Sequence, residues 1–267
     1  MFPTYTPGRV LAKICGLTNL ADALATAEAG ASAIGINFYP KSKRYHPLEA
    51  AAQWLGDLPA SLVRTAVLVN ASMEEVERIA ASGLIDVLQF HGDEPPETLV
   101  RARLYGLPII KALPLRPDTT VASLQAWPAD ALLLDAWAPG TYGGTGHVID
   151  WTHAAPIIAA LAPFPVILSG GLTPDNIAAA IAATHPSAID VASGVEFSPG
   201  QKDPERVRAL LDLCQAAPLS KASFSPETSA QSSGTTPAGL QPAGQCDRRV
   251  SVSGWPAFIP AAGCLAE

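Results

Sequence analysis

The sequence predicts an α/β protein, a (β/α)8 TIM barrel over residues 1–217, followed by a low-complexity tail over 218–267. Three observations carry that expectation. Eight short runs rich in Val, Ile and Leu recur along the chain, and continuous apolar runs of this kind suit parallel strands buried on both faces. Helical patterns fall between them, so strand and helix alternate about eight times over roughly 210 residues. Two residues able to move protons, Cys15 and Asp135, stand at the exits of the first and sixth runs. A closed parallel barrel gathers all its strand exits on one face, so the two can meet one substrate. The main alternative is an open doubly wound sheet. No G-x-G-x-x-G follows the first run, which weighs against its dinucleotide-binding version.

The strands are expected at 10–14, 32–38, 64–69, 86–90, 108–112, 131–134, 166–168 and 188–191. A helix over 19–29 has Ala and Leu at helical spacing and ends at Gly30, a good C-cap residue. Ser72-Met73-Glu74-Glu75 resembles a capping box. The apolar stretch 154–168 is interrupted by Pro156, Pro163 and Pro165 and is too short to cross a bilayer comfortably. It reads as a helix end, a turn and a buried strand. Thr173-Pro174-Asp175-Asn176 places proline just inside a helix start, and Asp203-Pro204-Glu205 repeats that arrangement before the last helix, 206–214.

The chain has 267 residues, 48% of them hydrophobic, which allows one barrel-sized core. The net charge of −7 gives no basic footprint for nucleic acid. A phosphorylated metabolite remains a suitable ligand where loops and helix N-termini supply donors. The cysteines, Cys15, Cys214, Cys246 and Cys264, show neither C-x-x-C pairing nor zinc-like spacing, which points to a reduced, cytoplasmic protein without a metal. The first seven residues lack a basic region and an apolar core, so no signal peptide and no membrane partner are expected. Residues 218–245 are dominated by Ser, Pro, Thr, Ala and Gly with no apolar period and are expected to be largely disordered.

Cys15 closes the segment Lys13-Ile14-Cys15-Gly16. Buried cysteines are common packing residues, but a thiolate near basic groups can act as a base. Asp135 follows three leucines and precedes a glycine-rich loop; an aspartate there either caps a turn or serves as an acid. Ser169-Gly170-Gly171-Leu172 and Ala192-Ser193-Gly194-Val195 follow the seventh and eighth runs. Glycine turns in those two units let backbone N–H groups approach a phosphate. The loop Pro40-Lys41-Ser42-Lys43-Arg44-Tyr45-His46 is basic, and Arg44 suits a carboxylate. Gly143-Gly144-Thr145-Gly146 suits a mobile lid. His91, in Gln89-Phe90-His91-Gly92, either touches substrate or closes a turn.

Together these segments, with Gly35-Ile36-Asn37-Phe38, Asp190-Val191-Ala192-Ser193-Gly194-Val195-Glu196 and Pro199-Gly200-Gln201-Lys202-Asp203, resemble the phosphoribosylanthranilate isomerase family. The resemblance runs from about Val10 to Ala216 and keeps the family's order. It implies a cofactor-free Amadori rearrangement of N-(5-phosphoribosyl)anthranilate in tryptophan biosynthesis. Carried over, Asp135 is the general acid that protonates the ribose ring oxygen and Cys15 the general base that removes the C2′ proton. Arg44 meets the anthranilate carboxylate, and His91, Gly144, Gly171, Ser193 and Gly194 complete the substrate site. The partner is one small phosphorylated substrate, and the enzyme is a monomer or homodimer. His147, Ile149 and Ala192 depart from the family pattern. The histidine-pathway isomerase is the nearest rival, but that family carries aspartate where Cys15 stands and shows two similar half-barrels, which are not evident here. A non-catalytic phosphate-binding barrel would have been favoured by loss of Cys15 or Asp135.

Overall fold

The apolar runs become strands because their Val, Ile and Leu side chains pack against both the barrel interior and the helical layer. The structure is a computed structural model that describes residues 10–137 and 147–216. Strands β1 (Leu11–Cys15), β2 (Ala33–Asn37), β3 (Val63–Leu68), β4 (Val87–Phe90), β5 (Ile109–Leu115), β6 (Ala131–Ala136), β7 (Val166–Leu168) and β8 (Ala188–Val191) close in order into one parallel barrel. β8 pairs back onto β1, with Lys13 beside Asp190. The surrounding helices are α1 (Leu20–Glu28), α2 (Leu48–Ala51), α3 (Met73–Ala81), α4 (Pro96–Ala102), α5 (Val121–Gln125), α6 (Trp151–Leu161), α7 (Ile177–Thr184) and α8 (Pro204–Ala216). A small antiparallel hairpin, β9 (Glu196–Ser198) with β10 (Gln201–Lys202), follows β8. The predicted tail over 218–267 lies outside the described residues.

Strand alternation separates two apolar clusters. Ile14, Ile34, Leu88 and Leu132 pack with helix residues such as Val76, Ile157 and Leu210. The positions between them, among them Ala33, Val63, Val87, Leu133 and Ile167, form a second cluster made of strand residues alone, which plugs the barrel. Burial of each large aliphatic side chain contributes about 1.5–3 kcal/mol. Since side chains two apart share a face, Lys13, Cys15, Gln89, Asp135 and Asp190 point into the barrel above that plug.

Some boundaries differ from the sequence reading, each for a local reason. β1 and β6 each run further than expected, so Cys15 and Asp135 sit inside the ladder, level with Gly35 and Pro114. β5 continues through Pro114, because its pairing with β4 ends at Lys111 and only β6 flanks the rest. A missing N–H is tolerated at such an open edge. α7 starts at Ile177 rather than at Pro174. There Asn176 Oδ1 accepts from the Thr173 N–H (2.8 Å) and Nδ2 donates to the Gly171 carbonyl (2.9 Å), holding a local turn instead of a first helical turn. The other caps behave as expected. Asn19 accepts from Asp22 N–H, Ser72 from Glu75 N–H, and Asp203 from the N–H groups of Glu205 and Arg206. Gly30 takes φ 93° beyond the end of α1.

Candidate active site

At the β1 exit, Cys15 is partly buried and shares its face with Lys13, whose ammonium donates to Asp190 Oδ1 at 2.8 Å. Both reach into space left by Gly35: a Cβ there would lie 2.7 Å from Cys15 Sγ and 3.0 Å from Lys13 Nζ. Gly35 is therefore a packing requirement of the site. Burial pushes the Cys15 thiol above its ordinary range, while the charges of Lys13 and Lys202 pull against that rise. Burial also opposes the Lys13 charge, but Asp190 and then Cys15 outweigh it, so this ammonium is held above the usual lysine value.

Asp135 is buried at the β6 exit. Its Oδ1 accepts from the Ala136 N–H (2.9 Å), and Oδ2 lies 3.3 Å from His91 Nε2. Gln89 Nε2 stands 3.0 Å from His91 Nδ1. An amide nitrogen only donates, so in this arrangement Nδ1 accepts and Nε2 carries the proton that faces Asp135. His91 thus touches the carboxyl itself. The loop that carries it is braced beneath. Lys111 Nζ donates to the Gly92 carbonyl and to Glu94 Oε2, both at 2.7 Å, and Glu94 accepts from the Gly92 and Asn70 N–H groups.

Of the three basic residues in the loop after β2, Lys41 and Lys43 are exposed and only Arg44 turns inward. Its stem passes under Gly16, where any Cβ would collide with Arg44 Cδ. Its guanidinium is engaged by Glu196 of β9: Nε lies 2.8 Å from Oε1, and Nη2 lies 2.6 Å from Oε2. Lys202 of β10 donates to the same Glu196 Oε1 (2.7 Å), to the Cys15 carbonyl (2.6 Å) and to the Ala192 carbonyl (3.2 Å). Burial acts to raise the Glu196 carboxyl, but the hydrogen bond from Arg44 and the charge of Lys202 hold it below its ordinary value. Sequence reasoning quoted Glu196 and Lys202 only inside motifs, because a pairing across about 150 residues leaves no local signal.

The turns after β7 and β8 lie side by side. A narrow cavity lined by Asp135, Gly170, Gly171, Asp190, Ser193 and Gly194 joins them to the barrel centre. A wider one of about 590 Å³ opens beyond Gly171, Ser193 and Gly194 toward Thr173 and Arg206. Gly171 adopts φ 63°, and a Cβ there would come within 2.6 Å of the His147 carbonyl oxygen. A Cβ on Gly194 would strike the Leu172 carbonyl. Both turns thus need glycine for backbone approach. Gly144 lies outside the described residues. Among the described residues, no His, Cys, Asp and Glu cluster could hold a metal ion, and no helix is long and apolar enough to cross a membrane.

A sequence profile described as N-(5'phosphoribosyl)anthranilate (PRA) isomerase matches residues 12–213. The N-(5'-phosphoribosyl)anthranilate isomerase of Citrifermentans bemidjiense is 45% identical over 201 residues, covering 74% of this chain and 94% of the relative. That of Rubrobacter xylanophilus is 41% identical, covering 76% and 98%. Among solved structures, phosphoribosyl anthranilate isomerase from Thermus thermophilus matches with a TM-score of 0.69 at 38% identity, over 76% of this chain and 98% of the other. Another phosphoribosyl anthranilate isomerase, 34% identical with a TM-score of 0.66 over 77% and 98%, was solved with reduced 1-(o-carboxyphenylamino)-1-deoxyribulose 5-phosphate.

Proposed function

This chain belongs to the N-(5'-phosphoribosyl)anthranilate isomerase family, an isomerase of tryptophan biosynthesis, and from that premise we propose that Cys15 is its general base and Asp135 its general acid. The observation that carries the assignment is their common orientation. Both side chains point into the barrel at strand exits, one beside Lys13 and the other beside His91.

In this reading Asp135 donates its proton to the ribose ring oxygen as the C1′–O bond breaks, and the nitrogen lone pair forms the C1′=N bond of an iminium ion. His91 holds the carboxyl in place and accommodates the charge left on it. Cys15, as thiolate, takes the C2′ proton, and the electron pair moves to the nitrogen to give an enamine. Tautomerisation of the enamine places the carbonyl at C2′. The product is an isomer of the substrate, and the cycle closes when the proton taken by Cys15 is released to solvent and Asp135 takes one up, so no acid, base or oxidant is consumed overall. The neighbouring ammonium of Lys13 favours the thiolate against the cost of burial.

The substrate's two anionic ends match two separate regions. The phosphate suits the glycine turns at Gly171, Ser193 and Gly194, reached from Asp135 through the narrow cavity. The anthranilate carboxylate suits Arg44. The working enzyme is a cytoplasmic monomer or homodimer acting on this small phosphorylated substrate. The test is an assay of the purified protein on freshly generated phosphoribosylanthranilate, following loss of its anthranilate-type fluorescence. Turnover is the expected result; a folded, inactive protein would refute the reading.

A further inference from the structure

We propose that Glu196 is a positioning residue that aims Arg44 at the substrate carboxylate, and that with Lys202 it makes the site selective for a carboxylated aromatic amine. The inference rests on the reading that Arg44 meets that carboxylate.

A guanidinium offers two forked edges to carboxylates. Glu196 occupies the one formed by Nε and Nη2, with the side chain of Glu196 only 4% exposed and that of Arg44 13%. Nη1 makes no hydrogen bond to any described residue, so the second edge stays open to a ligand. Without the clamp, a long arginine on a loop would have to give up rotamer freedom when substrate arrives. With it, that cost is met on folding.

The charge balance fits an anion. Arg44 and Lys202 supply two cations against the single carboxylate of Glu196, leaving one surplus positive charge. Lys13, by contrast, is matched one to one by Asp190. The clamp is also tied to the rest of the site. Lys202 bonds the Cys15 carbonyl at the β1 exit and the Ala192 carbonyl just before Ser193 and Gly194. The hairpin itself is pinned to the loop after β1: Thr18 Oγ1 donates to the Gly200 carbonyl (2.7 Å), and Asp22 Oδ2 accepts from the Lys202 N–H (2.9 Å). Arg44 is therefore held at a fixed offset from both the thiol and the phosphate turn.

The experiment compares two substrates, N-(5-phosphoribosyl)anthranilate and its aniline analogue without the carboxylate. Glu196→Gln should raise KM for the first by about tenfold to hundredfold, the range of a charge-assisted hydrogen bond. Its kcat should change far less, and KM for the aniline analogue should stay near the wild-type value. Glu196→Asp keeps the charge beside Lys202 but is too short to span both Arg44 nitrogens, so it should show the same selective rise and serves if the glutamine variant does not fold. Equal KM changes for both substrates, or none for either, would overturn the role of Glu196. Arg44→Lys separates the two levels of the argument. A selective KM rise in Arg44→Lys without one in the Glu196 variants leaves the carboxylate reading standing and removes the clamp. No selective rise in Arg44→Lys refutes the carboxylate reading itself.

Discussion

The exits of β1 and β6 differ from the turns after β7 and β8 in what they present to the barrel mouth. At β1 and β6 the proposed reactive atoms belong to side chains, Cys15 and Asp135, each fixed on its strand by ladder pairing on one side. After β7 and β8 the proposed binding atoms belong to the main chain, in turns where Gly171 and Gly194 pack directly against the His147 and Leu172 carbonyls. The first arrangement allows isosteric changes that remove chemistry and leave packing alone. In the second, almost any change disturbs the backbone contact before it touches ligand. Catalysis and stability should therefore separate at one pair of exits and travel together at the other.

The largest effects test that separation directly. Cys15→Ser and Asp135→Asn should each lower kcat by about 10²–10⁴-fold, the usual contribution of a general acid or base. Their melting temperatures should stay close to wild type. Turnover above about a tenth of wild type in either variant, well short of that expected loss, would remove its assigned role.

Gly194→Ala should behave oppositely. Its Cβ collides with the Leu172 carbonyl, so relaxation should cost about 1–3 kcal/mol of stability, as overpacking does elsewhere. Inorganic phosphate should compete with substrate about tenfold less well, the equivalent of about 1.4 kcal/mol. Unchanged phosphate inhibition together with a lowered melting temperature would make this glycine purely structural.

The pH profile sharpens the contrast further. Burial raises the Cys15 thiol, and a protonated thiol cannot accept the C2′ proton. The Cys15-dependent rate of alkylation by iodoacetamide, which reads the thiolate alone, must then rise with pH through and above the ordinary thiol range, by up to about tenfold per unit. Of the facing cations, Lys13 and Arg44 are held above their ordinary values by Asp190 and Glu196, whereas burial lowers Lys202 against the pull of Glu196. Gly194→Ala should keep the shape of this alkylation profile, whereas Cys15→Ser should abolish it. A wild-type profile already flat below pH 8 would contradict the protonated resting thiol.

The smallest effect concerns residues 218–267. A chain ending at Ala217 should keep kcat and KM, since α8 already packs Val207, Leu210, Leu211 and Cys214 into the core. Loss of activity in a truncated chain with native circular dichroism would place a contribution to the active face in that segment.

Much of the fold was legible because parallel strands advertise themselves as apolar runs, and turns and caps as Gly, Asn, Ser and Pro. The misreadings were local contests. At Pro174 a proline rule lost to the side-chain bonds of Asn176. The fifth strand, expected over 108–112, runs on through Pro114 because only β6 flanks that stretch. In the candidate site, the proposed roles of Cys15, Asp135 and Arg44 are suggested by residue type and position. Lys13, Gly35, Glu196 and Lys202 were quoted in motifs but given no role. Their roles depend on contacts with distant strands, such as Lys13 with Asp190 across 177 residues. Nothing in local composition encodes such a pairing.

The bare α-carbon at Gly35 has a consequence for how this chemistry can change over generations of sequence. The proposed base on β1, Cys15, occupies volume left by Gly35 on β2. An exchange of thiol for carboxylate at position 15 is thus permissible only in a background that keeps glycine at position 35, while alanine there would close off the bulkier base before it arose. The two positions form one mutational unit. Cys15→Asp and Gly35→Ala should combine far from additively, and the order in which they occur decides which lineages remain open.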